Sequence, residues 1–124
     1  MPQDLKERCF SFSLSTIKFL KGQRFDEFSL VVAKQLMRSA MSVGANVTEA
    51  FNSSTRTEFR RYYEIALKSC NESKYWLRIL HEGFGVRGEL EKLVQEAAEI
   101  SKMLAASIIK LKQPQKTQEQ NSNT

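Results

Sequence analysis

One histidine, two cysteines and scattered hydroxyls are the residues of this 124-residue chain that are most often recruited for catalysis. A serine, threonine or cysteine nucleophile needs a base within hydrogen-bond reach, and nothing in the sequence places His81 beside one. His81 falls near the end of a helical pattern and reads as an end-of-helix cation or a surface residue. Cys9 and Cys70 each sit inside an apolar helical pattern and read as buried, reduced thiols. No His/Cys/carboxylate cluster has the spacing of metal ligands, and the Glu-x-x-His motif of di-iron bundles is absent. There is neither a P-loop nor a G-x-G-x-x-G segment. The sequence therefore predicts no catalytic residue, no metal and no cofactor.

Two other constellations can act by binding. Arg56, Arg60 and Lys68 fall near one face of a helix, with Arg61 adjacent and Tyr62 and Tyr63 interleaved. That pattern suits phosphate contacts combined with base stacking, so these four cations form a candidate nucleic-acid surface. Glu58 and Glu64 interrupt it, and both tyrosines also fall on apolar stripes. A merely solvated charged face is the competing reading. The second constellation lies in the segment RSAMSVGANVTEAF, from Arg38 to Phe51. Arg38, Ser42, Asn46 and Glu49 fall at i, i+4, i+8 and i+11, a polar stripe along a helix. Arg38 and Glu49 are three turns apart and cannot pair with each other. Glu72 on the next helix is a candidate partner for Arg38. The expectation is a hydrogen-bonded network of Arg38, Asn46, Glu49 and Glu72 that fixes helix register, against the alternative of a solvated polar face.

The same segment shows how such residues would be held. Leu36, Ala40, Val43, Val47 and Ala50 make an apolar stripe beside the polar one. Gly44 costs a mid-helix position about 1 kcal/mol relative to Ala, so its presence predicts the close approach of another backbone.

Four helices account for the rest. The first is predicted from about Gln3 to Lys21, with Leu5, Cys9, Phe12, Thr16 and Leu20 inward, Phe10, Ile17 and Phe19 widening that stripe, and Gly22 as the stop. Asp26 can cap the second, which runs to about Phe51 with Phe28, Val32, Leu36, Ala40, Val43 and Val47 inward. Thr55 and Glu58 form a capping box for the third, from Arg56 to about Glu82. One of its stripes is Phe59, Tyr63, Ala66, Cys70, Ser73, Leu77 and Leu80. A second, offset stripe of Tyr62, Ile65, Ser69, Trp76 and Ile79 covers more of the circumference than a helix in a lone bundle needs. Gly83, Gly85 and Gly88 mark a turn. The fourth helix runs from about Glu89 to Lys112. Short connections make neighbours antiparallel, so the expected fold is all-α, an up-down-up-down four-helix bundle spanning residues 1–112. The polar stretch 113–124 is expected to be a disordered tail.

Net charge is +5, a modest excess compatible with nucleic acid or acidic surfaces. No apolar run approaches the roughly 20 residues of a membrane span, and the first residues lack the basic-then-apolar order of a signal peptide. A cytoplasmic location is expected.

The segment RSAMSVGANVTEAF followed by STRTEFRRYYEIALKSCNES resembles the four helix bundle protein family, whose members include proteins encoded within intervening sequences of bacterial large-subunit ribosomal RNA genes. The family pattern Arg-x-Ala-x-Ser-Ile-Pro-Ala-Asn-Ile-Ala-Glu-Gly is matched at Arg38, Ala40, Ser42, Val43, Ala45, Asn46, Val47 and Glu49. Its second segment is matched at Thr55, Glu58, Phe59, Tyr62, Ile65, Ala66, Ser69 and Glu72. Gly44, Ala50 and Lys68 depart from it, standing where the family usually has Pro, Gly and Gly. The resemblance implies assembly into a homopentamer and no enzyme activity. The accessory protein of diversity-generating retroelements looks similar, a basic pentamer that works with a reverse transcriptase and nucleic acid. The expected function is thus a non-enzymatic, homo-oligomeric interaction protein with RNA, DNA or a nucleoprotein as partner, or else a scaffold for a protein partner alone.

Overall fold

The computed structural model describes residues 2–114, with side chains from Leu5 onward. Four helices run in order: α1 (Pro2–Lys21), α2 (Glu27–Phe51), α3 (Arg56–Phe84) and α4 (Leu90–Lys112). No strand occurs among the described residues. Each helix packs on the next and α4 closes back on α1, while the diagonal pairs keep their backbones apart. Ser13 faces Ala40 and Gly44 faces Cys9, which sets α1 and α2 antiparallel. Ser42 with Ser69 and Ser39 with Ser73 do the same for α2 and α3. Arg56 with Lys110 and Cys70 with Ala97 do it for α3 and α4. The result is an up-down-up-down four-helix bundle. Of the expected polar tail, only Gln113 and Pro114 lie within the described residues.

Helix ends follow the local chemistry. The Asp26 carboxylate accepts from the N–H groups of Phe28 and Ser29 at 3.0 and 2.8 Å, and Ser29 Oγ accepts from the Asp26 N–H at 3.0 Å. These bonds to the ionised form hold the Asp26 carboxyl below its ordinary range, the Ser29 backbone bond contributing most. At α3, Thr55 Oγ1 accepts from the Glu58 N–H at 3.1 Å. The Glu58 carboxylate then turns back one residue further than a standard box, accepting from the Ser54 N–H at 3.1 Å. The far end of α3 runs two residues past its expected end, to Phe84. There Gly85 adopts the left-handed conformation at φ +68° and lets the Val86 N–H reach Leu80 O at 3.0 Å.

The core is built from the expected stripes. Cys9 and Phe12 of α1, Leu36, Val43 and Val47 of α2, Cys70, Leu77 and Leu80 of α3, and Ile100 and Leu104 of α4 are sealed from solvent. Leu20, Val32 and Phe59 are partly buried, and two expected inward residues stand largely in solvent. Phe28 is 68% exposed and Phe10 59% exposed. Phe28 shares its helical row with Gln35, Ser42 and Asn46, which is the edge of the α2–α3 seam rather than its core. Phe10 lies at the α2-facing edge of α1, where bundle packing has already ended. Gly44 does meet a neighbouring backbone: a Cβ there would stand 3.4 Å from the Cys9 carbonyl oxygen, at the near limit of ordinary contact.

Candidate functional site: the polar seam and the basic surfaces

Small and polar side chains of α2 and α3 meet in a ladder. Ser39 Oγ and Ser73 Oγ lie 2.8 Å apart, and Ser42 Oγ and Ser69 Oγ also 2.8 Å apart. Asn46 Nδ2 donates to the Ser42 carbonyl at 2.8 Å and to its hydroxyl at 3.0 Å. Nearer solvent, Arg38 Nη2 donates to the Glu72 carboxylate, and Arg38 Nε to Gln35 Oε1 at 3.1 Å. Trp76 Nε1 donates to the same Glu72 oxygen at 2.9 Å. Of the four residues expected to share one network, Arg38 and Glu72 are brought together. Asn46 belongs to the serine ladder instead. Glu49 is exposed and makes no side-chain hydrogen bond among the described residues, because its position on the helix points past the seam. Two short clusters therefore replace the single network.

The four candidate cations of α3 do not share one open face. Arg56 is turned toward α4, where its Nη2 donates to the Lys110 carbonyl at 3.0 Å. Arg60 lies half-buried with its Nε shielded from water and unpartnered among the described residues. Arg61 and Lys68 are exposed and point outward. Tyr63 is buried, its phenol pushed up to about 12 by desolvation, so its ring is unavailable for stacking. The exposed tyrosine is Tyr75.

Two groupings were missed by the sequence reading. Arg8 of α1 forms a fork on Glu96 of α4, Nε to Oε2 at 2.9 Å and Nη2 to Oε1 at 2.7 Å. Burial of part of this pair makes it a clamp between the first and last helices. The other is a concave basic space at the α3–α4 turn, lined by Lys74, Arg78, His81 and Arg87 together with Gly88, Leu90, Glu91 and Val94. Its one sequence signal is the i, i+4, i+7 spacing of Lys74, Arg78 and His81.

The remaining reactive types are spoken for. His81 Nδ1 lies 3.0 Å from the Val86 carbonyl, which can only accept, so the ring carries its proton on Nδ1 and closes the turn after α3. Burial pushes the Cys9 thiol up to about 12 and the Cys70 thiol up to about 11, the reverse of an activated nucleophile. Among the described residues no group of three or more His, Cys, Asp or Glu side chains is placed to hold a metal ion. Among the described residues no helix is long and apolar enough to cross a membrane.

The fold and its surfaces thus define an antiparallel four-helix bundle whose distinguishing features lie on its outside rather than in an enclosed pocket. The chain matches the family of 23S rRNA-intervening sequence proteins over residues 3–106 and belongs to it. A similar solved structure is a protein of unknown function from the S23 ribosomal protein family of Bacteroides thetaiotaomicron VPI-5482. It is 29% identical, with a TM-score of 0.77 over 87% of this chain and 97% of that one. No curated protein matches.

Proposed function

We propose that this protein acts without chemistry of its own, as a homo-oligomer, with five copies the number its resemblance implies, whose cationic surface engages RNA or a nucleoprotein. The observation that carries the reading is the pair of unlike apolar edges on α2. On the α1 side, Phe10 and Leu14 stand with Met37 and Met41. On the α3 side, Phe28 and Val31 stand exposed near the start of α2, and Ile65 stands exposed further along the same seam, level with Asn46. A lone soluble bundle has no use for two such edges. Head-to-tail copies bury one against the other, and such contacts close into a ring when the rotation fits. A ring repeats each cation of the monomer, so a net charge of +5 per chain is multiplied by the number of copies. The family's association with 23S rRNA intervening sequences supports RNA as the partner.

The test is a titration of the purified protein against structured ribosomal RNA and duplex DNA at about 50 and 200 mM salt, with its mass followed by light scattering. Binding that falls steeply with salt is expected. Absence of binding at low salt would overturn the RNA reading. Phe28 and Val31, at 68% and 60% exposure, favour a second reading in that event: a scaffold whose apolar edge takes a protein such as a reverse transcriptase.

A further inference from the structure

We infer that the concave space at the α3–α4 turn seats the phosphate backbone of the RNA, and that the outward cations Arg61 and Lys68 are secondary. This rests on the RNA reading above and names the contact within it.

Three observations converge on the turn. First, Lys74 and Arg78 follow one row of α3, and the chain after Gly85 folds back so that Arg87 lines the same space. Second, their local partners leave donors free. Arg78 uses its Nε on Glu82 at 2.8 Å, which keeps both terminal amino groups of the guanidinium for a ligand. Lys74 Nζ spends one proton on Ser101 Oγ at 3.3 Å and retains two. Arg87 is exposed and makes no ion pair among the described residues. Against these stands Glu91, which lines the same space, while Glu89 is paired with Lys92 at 3.1 Å. Third, the space is about 630 Å³, far larger than one bare anion.

Its length argues for a strand. Four residues of helix separate Lys74 from Arg78, about 6 Å at about 1.5 Å per residue. Phosphates of one strand advance about 3.4 Å each along the axis of a DNA duplex, so this row of about 6 Å is matched to two or three successive phosphates. The fork geometry of two arginines suits phosphate oxygens better than point charges would. Arg56 and Arg60 offer no comparable array, one being committed to Lys110 O and the other half-buried.

The experiment compares the wild-type protein with Arg78→Gln/Arg87→Gln, with Arg87→Gln alone, and with Arg61→Gln/Lys68→Gln. Each is titrated with a fluorescent structured ribosomal RNA across salt, and far-ultraviolet circular dichroism checks the fold. The expected result is at least a tenfold loss for Arg78→Gln/Arg87→Gln, with the slope of log K against log salt shallower by about two, one unit per lost phosphate contact. Arg87→Gln, at an exposed turn position, loses about one unit of slope. Arg61→Gln/Lys68→Gln stays within threefold of wild type. Wild-type affinity in the Arg78/Arg87 variant overturns the inference and leaves the RNA reading standing. A wild-type protein that binds no RNA overturns both. Inorganic phosphate is run as competitor. Displacement of the RNA from wild type at only a few millimolar phosphate would make the site one for a free anion and overturn the strand assignment.

Discussion

The hydroxyls of Ser39 and Ser73 meet at 2.8 Å in a place that water does not reach. Ser39 also lies 3.2 Å from the Leu36 carbonyl and Ser73 2.9 Å from the Ser69 carbonyl. Two protons serve three contacts, so the hydroxyls share them and each can satisfy the other or its own helix. Removing one hydroxyl leaves its neighbour a carbonyl to fall back on. Ser39→Ala and Ser73→Ala are each expected to destabilise by about 1 kcal/mol, the range of a single net hydrogen bond. The double variant should cost less than their sum by about 0.5 kcal/mol or more, as for residues in one network. Urea unfolding of the four proteins measures the cycle, and strict additivity would mean that the two hydroxyls act independently.

Gly44 supplies a second packing test. Its absent Cβ would lie 3.4 Å from the Cys9 carbonyl oxygen and 3.5 Å from the Cys9 Cβ, the near limit of ordinary contact. Gly44→Ala therefore gains helix propensity without moving α1, a stabilisation approaching about 1 kcal/mol. Gly44→Val adds two more carbons against that backbone and should destabilise by about 1–3 kcal/mol. Thermal melts of the pair decide it, since the two changes are expected to have opposite signs.

Glu72 links an ion pair to an indole. Its carboxylate takes both Arg38 and Trp76 Nε1, and Trp76 is the single tryptophan of the chain. Glu72→Ala is expected to cost no more than about 1 kcal/mol, because the pair is exposed and water replaces it. It should nevertheless shift the tryptophan emission to the red. Glu72→Gln keeps an acceptor for the indole and should restore most of the wild-type spectrum. An unchanged spectrum in Glu72→Ala would contradict the bond.

Much of this architecture is legible in the sequence. Asp26 and Thr55 announce helix starts because their side chains can only be useful there, and Gly44 announces a close backbone because nothing else justifies its cost. Arg38 with Glu72 is legible because antiparallel neighbours of known start fix which turns face each other. Phe28 is not legible, since hydrophobic spacing alone gives a position on the wheel but not where the neighbouring helix ends. Asn46 joins the serine ladder rather than the Arg38–Glu72 pair for a similar reason: an amide four residues from a serine can satisfy itself locally. Of the basic space at the α3–α4 turn, only the spacing of Lys74, Arg78 and His81 shows in one dimension, because Arg87 reaches it only through the reversal at Gly85.

The core also sets an alkaline limit. Burial raises Cys9 from 9.0 to about 12, Cys70 from 9.0 to about 11 and Tyr63 from 10.0 to about 12. In the unfolded chain these groups ionise at their ordinary values, so between about pH 9 and 12 the unfolded state has lost protons that the folded state still holds. Stability is full below pH 9 and falls as pH rises through that window. The urea midpoint should therefore drop between pH 8 and 10.5. Cys9→Ala should show a shallower drop over the same range, and an equal drop would place its cause elsewhere.

The apolar edge between α1 and α2 decides whether the chain works alone. Phe10, Leu14 and Ile17 follow one row of α1, and Leu30, Met37 and Met41 one row of α2. A groove of about 310 Å³ lined by Ile17, Leu30 and Met37 joins the two rows. Leu14 and Met41 are 47% and 42% exposed in the single chain, so charges placed there meet water and should change the stability of one bundle by no more than about 0.5 kcal/mol. In a ring the same charges would be buried without partners, which association cannot tolerate. Leu14→Glu/Met41→Glu is thus expected to keep wild-type helicity while light scattering falls from the oligomer to the mass of one chain. A variant that stays assembled would move the interface to the Phe28 edge paired with some other surface. A wild-type protein that is itself a monodisperse monomer would remove the ring altogether, and with it the multiplied charge on which tight RNA binding depends.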